Sequence, residues 1–249
     1  MQGISPNFLM ICAVAVVSGT LAYFGLSAPR LALFVFVIAV WVITLCLHEF
    51  GHAFAAYHGG DRSVAEKGYL TFDPLKYTHP LLSIGLPLLF LAMGGIGLPG
   101  GAVYVQTGRL RSRAWVSLVS AAGPAFTLIC LIVLLLPLRL GLYEAGGTHG
   151  FWAAISLLAF LQLTALLFNL LPIPGLDGFG IIEPWLPRAL WPLANALRSG
   201  PIMLVLIVVL VMTPAGGAFF RFLFDLAESL GIAREDIVVG LQLFQMWRY

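Results

Sequence analysis

Two histidines and a glutamate interrupt an otherwise apolar run at Leu47-His48-Glu49-Phe50-Gly51-His52-Ala53. In a helix His48 and His52 lie one turn apart on one face. Two imidazoles can then grip a single Zn²⁺ while Glu49 sits beside the open coordination position. The pattern alone also fits a polar helix end at a membrane surface, so its depth matters. Residues 31–47 are uncharged and make about 25 Å of helix at ~1.5 Å per residue. His48 therefore lies near the inner end of the hydrocarbon, where an ionisable side chain costs about 2.5–3.5 kcal/mol on insertion scales and needs a reason to be there.

A catalytic zinc takes three protein ligands and a water, so a third ligand is required. Three residues compete for that place. His58 follows His48 by ten residues, the metzincin spacing, but Ala55 stands where that pattern needs a glycine to turn the chain. On an uninterrupted helix His58 points well away from His48 and His52. Glu66 lies in a polar loop with Arg62 and Lys67, where a solvated charge is its ordinary role. Asp177 closes a later apolar span, in a stretch from Asn169 to Gly178 where Pro172 and Pro174 break the helix and free backbone to wrap a site.

The elements that must position these residues are membrane helices. The chain of 249 residues has 11 acidic and 13 basic residues, whereas a soluble domain of this length would carry about 62 charges at ~25%. With 60% hydrophobic residues and a mean hydropathy of +0.99, an ordinary soluble protein is excluded, as are disorder and collagen-like repeats. A net charge of +2, scattered along the chain, excludes nucleic-acid binding as the main function. Cys12, Cys46 and Cys130 lie far apart in apolar runs and are expected to pack as small hydrophobes. Uncharged stretches predict crossings at 8–28, 31–57, 114–138, 151–171 and 201–220. The first has no preceding Lys or Arg, so it reads as a span and not as a signal peptide. Residues 80–103, rich in glycine and proline, suit a re-entrant segment or a cavity wall better than a straight helix.

Loop charges set the orientation. Arg62, Lys67 and Lys76 follow the second span, and Arg109, Arg111 and Arg113 precede the next full one. Both loops are expected to be cytoplasmic, and they share a side only if 80–103 enters and leaves on one face. That arrangement brings Asp177 to the face that carries His48 and His52. The tail 221–249 mixes charged and apolar residues and reads as amphipathic helix lying on the membrane or on the protein. The predicted fold is an all-α polytopic membrane protein of five to six transmembrane helices. Residues 1–220 form one membrane domain with a core at 31–180, and 221–249 form an amphipathic tail.

His48-Glu49-x-x-His52 in an early span, Ala122-Gly123-Pro124 in a middle one, and Asn169-x-x-Pro172-x-Pro174-x-x-Asp177-Gly178 later resemble the site-2 protease family of intramembrane zinc metalloproteases. Residues 69–105, with Asp73-Pro74-Leu75-Lys76 ahead of a Gly/Pro-rich segment, resemble its compact bacterial members. The likeness covers about residues 31–180. It implies one Zn²⁺ held by His48, His52 and Asp177, Glu49 as general acid/base and Asn169 at the substrate cleft. It further implies a metalloendopeptidase of the cell membrane that cleaves transmembrane protein or peptide substrates toward the cytoplasmic side, with membrane lipid as surroundings and no nucleic-acid partner. One departure is Thr127, where many relatives have asparagine after the Gly-Pro. Two rival classes remain. A transporter or channel also places charges and broken helices at membrane depth but gives no reason for the H-E-x-x-H spacing. A zinc-holding pseudoprotease would most simply lack the general base, and Glu49 is present.

Overall fold

The computed structural model describes residues 3–77, 103–197 and 213–245. Among them, four helices are long and apolar enough to cross a membrane. They are α1 (Pro6–Phe24), α2 (Pro29–Gly59), α4 (Arg113–Arg139) and α5 (His149–Asn169). Shorter helices complete the described chain: α3 (Ser63–Glu66), α6 (Asp177–Ile182), α7 (Trp191–Leu197), α8 (Pro214–Ser229) and α9 (Arg234–Phe244).

Local sequence explains where the long helices start. Ser5 caps α1 by accepting from Phe8 N–H at 3.0 Å, with Pro6 in the first turn where a missing N–H costs nothing. Ser112 and Thr148 cap α4 and α5 in the same way, accepting from Trp115 and Phe151. Gly25 ends α1 at φ +65°, a left-handed conformation that glycine adopts freely.

The four crossings alternate in direction. Thr148 donates from its N–H to Tyr23 O and from its hydroxyl to Ala22 O, so α5 begins where α1 ends. Arg111 N–H donates to Gly59 O at 2.9 Å, so α4 begins where α2 ends. At that same end Ser5 N–H donates to Thr71 O, and Asn7 donates to Asp73 at 3.1 Å. The loops carrying Arg62, Lys67, Arg109 and Arg111 therefore share one end of the bundle with the tip of α2. The re-entrant reading of 80–103 falls outside the described residues except for Val103.

Helix α5 is the hub, with nearly every residue from Ala153 to Asn169 buried. Its apolar surface faces all round, as expected for a helix enclosed by protein within a membrane. By contrast α1 and α4 expose Leu9, Met10, Val16, Val17, Ile132 and Val133, side chains suited to lipid contact. Gln162 of α5 donates to Thr44 Oγ1 of α2 at 2.8 Å, one turn before His48, and locks the register of those two helices.

The C-terminal region differs from the sequence expectation at one boundary. The stretch 201–220 lies mostly outside the described residues, but Thr213 is extended (φ −92°, ψ 166°) and Pro214 is the first residue of α8. Helix α8 thus runs across the division drawn at residue 220. Leu223, Ala227, Ile232, Ile237 and Phe244 from α8, α9 and their joint are buried in the core that α5 organises. Phe224 stacks on Phe160 at 4.7 Å and Phe244 on Phe34 at 5.1 Å. The tail is packed on the protein.

Beyond α2, Asp61 is fully buried and accepts from Ser63 N–H (3.1 Å), Ser63 hydroxyl (2.6 Å) and Gln106 N–H (2.7 Å). It anchors the segment 103–106, whose Val103 N–H donates to Glu49 at 3.1 Å. Burial alone would raise the Asp61 carboxyl, but the Ser63 hydroxyl, the two N–H groups and Arg109 outweigh it and hold it below its usual value. Because the folded value is depressed, its stabilisation is complete above the unfolded pKa of ~3.9 and is lost as pH falls through the folded value. Asp61→Asn should therefore cost about 1.5–3 kcal/mol at pH 7, the worth of hydrogen bonds to a charged group. Thermal melts in detergent should show the gap to wild type closing below about pH 4.

Candidate metal centre

Helix α2 carries His48 and His52 on one face, and their ring centroids lie 4.7 Å apart. The third group arrives from a different element. After α5 ends at Asn169, Pro172 and Pro174 prevent the helix from continuing, Gly175 turns the chain at φ +101°, and Asp177 opens α6. His48 Nε2 is 3.3 Å from Asp177 Oδ2, His52 Nε2 is 3.3 Å from Asp177 Oδ1, and the two Nε2 atoms are 3.1 Å apart.

The outer nitrogens decide where the protons are. His52 Nδ1 lies 2.7 Å from Val119 O of α4, and a carbonyl can only accept, so Nδ1 carries the hydrogen. Thr127 donates its hydroxyl hydrogen to Gly123 O (3.3 Å) and accepts from His48 Nδ1 (2.8 Å). Both rings therefore turn a bare Nε2 lone pair inward, toward a carboxylate that also has only lone pairs to offer. Asp177 Oδ2 is accordingly buried without a hydrogen-bond donor.

Three electron-pair donors facing one another with no proton between them call for a cation. Zinc fits the set. Tetrahedral bonds of ~2.0–2.1 Å imply ligand-to-ligand separations of about 3.3–3.4 Å, close to the 3.1–3.3 Å observed. Imidazole nitrogen favours zinc over magnesium or calcium. Gly123 leaves the room: a Cβ there would overlap His52 Nε2 and stand 2.7 Å from His48 Nε2. Side-chain exposures of 11, 12 and 20% for His48, His52 and Asp177 leave the group open on one side. A fourth ligand position can be wet.

Glu49 is buried on the adjacent face of α2, with its carboxylate accepting from Val103 N–H. Asn169 is buried at the last residue of α5. The two rival third ligands lie elsewhere. His58 is exposed near the tip of α2 with Nδ1 donating to Phe54 O at 2.9 Å, and Glu66 ends α3 in the polar loop. Among the described residues, His48, His52 and Asp177 are the cluster that could hold a metal.

Comparison with known proteins agrees with this geometry. The chain is 47% identical over 249 residues to a protein of Mycolicibacterium smegmatis named "Putative zinc metalloprotease Rip2", covering 98% of this chain and 94% of the relative. A protein of the same name from Mycobacterium tuberculosis (strain H37Rv) is 46% identical over 250 residues with the same coverage. This chain belongs to the site-2 protease family. The chain is also similar to "Putative zinc metalloprotease YwhC" of Bacillus subtilis, 30% identical over 196 residues, or 75% of this chain and 84% of that one. No protein-family model matches the chain, and no solved structure does. With four long apolar helices, this site-2 protease is a membrane protein.

Sequence reasoning named the inward donors but not what aims them. The Val119 carbonyl is invisible in a sequence, because any residue supplies one. Thr127 stood out as a departure from asparagine, and its hydroxyl does make the polar contact to His48. Outer partners of metal-bound histidines are worth about 10–100-fold in affinity. Thr127→Val should weaken Zn²⁺ binding within that range while Thr127→Ser retains it, as chelator competition can measure. Gly123→Ala should abolish binding, since its methyl group takes the metal's place.

Proposed function

We propose that this protein is an intramembrane zinc metalloendopeptidase that hydrolyses peptide bonds within or near transmembrane segments of membrane proteins, on the cytoplasmic side. The observation that carries the reading is the inward set of three unprotonated donors beside a buried glutamate, within the second half of an apolar helix. His48, His52 and Asp177 would hold Zn²⁺, and two neutral imidazoles with one carboxylate offset one of its two charges. Zinc, when bound, supplies a Lewis acid that polarises a peptide carbonyl and lowers the pKa of its water toward ~7.

The remaining work falls to this chain's own groups. Glu49 takes the proton from the attacking water and later delivers it to the leaving amine. Val103 N–H holds one oxygen of Glu49, which leaves the other for that proton. Asn169 is suited to hydrogen-bond an extended substrate or its developing oxyanion. A helical substrate hides its carbonyls in its own hydrogen bonds, so it must unwind before attack, and substrates with glycine, proline or other helix-weakening residues near the cut are expected. The cytoplasmic assignment is supported by the cluster of Arg62, Lys67, Lys76, Arg109, Arg111 and Arg113 at the end of the bundle where α2 finishes and α4 begins.

Glu49→Gln should retain one zinc per chain yet lose cleavage, whereas Asp177→Ala should lose zinc as well. Mass spectrometry of membrane peptides that accumulate with Glu49→Gln and vanish with wild type would identify substrates. Full proteolysis by the Glu49→Gln protein would sink the mechanism.

A further inference from the structure

His48 and His52 ride a helix of 31 residues, but Asp177 opens one of six. A helix that short has no stability of its own, so the position of Asp177 is set by whatever seats α6. Two glycines let it settle between its neighbours. A Cβ on Gly178 would overlap the Leu170 carbonyl at the end of α5, and one on Gly180 would come within 2.5 Å of Ser120 Oγ on α4. Close approach of this kind admits the helix but does not stop it from sliding or rotating. A directional bond does. Ser117 of α4 donates its hydroxyl hydrogen to Ile181 O at 2.7 Å, and Trp185 Nε1–H donates to Ser117 Oγ at 2.9 Å.

We propose that Ser117, fixed by the Trp185 indole, is a positioning residue that sets Asp177 in register with His48 and His52. This inference rests on the reading of Asp177 as a zinc ligand. Ile181 lies four residues after Asp177, one turn along the same face of α6, so a bond at its carbonyl fixes both the rotation and the height of the aspartate. The serine has one hydrogen to give, and in a helix its ordinary alternative is the carbonyl four residues earlier in its own helix. The Trp185 N–H occupies a lone pair of the oxygen and keeps that hydrogen turned toward α6. Trp185 is itself 62% exposed, at the end of the bundle where α4 begins, where an indole suits the boundary between lipid and water. Helix α4 then aims all three donors: Val119 O and Thr127 Oγ1 hold the imidazoles, and Ser117 holds the carboxylate through α6.

The test uses the full-length protein in detergent. Zinc affinity is read by chelator competition, and the metal environment by the visible spectrum of the Co²⁺-loaded form. Ser117→Ala and Trp185→Phe should each weaken zinc about tenfold, the lower end for an outer-sphere partner, and alter the Co²⁺ bands. Ser117→Thr, which keeps the hydroxyl, should restore affinity to within about twofold of wild type on the same scale. Trp185→Phe keeps the ring and serves where Ser117→Ala does not fold. Wild-type affinity and spectrum in both variants would overturn the clamp, as would a threonine variant no better than alanine. Wild-type protein that takes up no zinc would overturn the metalloprotease reading along with it, a result distinct from either.

Discussion

Two imidazole nitrogens and a carboxylate, all with lone pairs inward and none with a proton to share, cannot be held within 3.1–3.3 Å of one another in a low-dielectric interior at no cost. The rest of the structure depends on that concentration of electron density. Left alone, the rings would turn to share a proton with the carboxylate. They do not, because each outer nitrogen is already committed to a group on α4. The role of α4 follows. It is half lipid-facing, yet its inner face supplies the Val119 carbonyl, the bare backbone of Gly123 and the Thr127 hydroxyl at intervals of four residues. One helix face thus makes two outer-sphere contacts and leaves the metal's space between them.

This division of labour also explains which parts could be read from the sequence. His48, Glu49 and His52 were legible because their spacing is a property of a single helix. Asp177 was legible only by combining a chain break at Pro172 and Pro174 with the sidedness of loop charges, two arguments that neither distance nor alignment supplies. The aiming groups were not legible, since a carbonyl carries no sequence signature and a serine four residues into a span looks like any interfacial serine. The start of α8 is illegible for another reason. Hydropathy follows composition and is blind to backbone direction, so it does not show that α8 starts at Pro214. In the structure, apolar side chains of α8 and α9 meet the core around α5.

The buried polar groups of α5 belong to the same account. In hydrocarbon an unpaired hydroxyl or amide is costly, so each needs a partner inside the protein. Thr164 donates to Phe160 O, and Gln162 donates to Thr44, whose own hydroxyl donates to Trp41 O. That chain of donors reaches α2 at Thr44, one turn before His48, and ends on the Trp41 carbonyl. The register between the histidine helix and the helix that leads to Asp177 is therefore set twice, once by apolar packing and once by a directional bond where no water competes.

A site built this way separates holding a metal from doing chemistry. The groups that grip are pinned from α4, on the far side of the rings from the cluster, while Glu49 is pinned from the segment 103–106, which Asp61 anchors to the end of α2. The two supports share no side chain. On the proposed reading, a change on α4 would be felt first in metal affinity, whereas a change in the segment at Val103 would be felt first in proton transfer. An extended substrate adds a further demand, because its freed N–H and C=O groups need partners at membrane depth. On the proposed reading, the side-chain amide of Asn169, at the last residue of α5 and next to the proline-broken chain that delivers Asp177, would meet part of that demand.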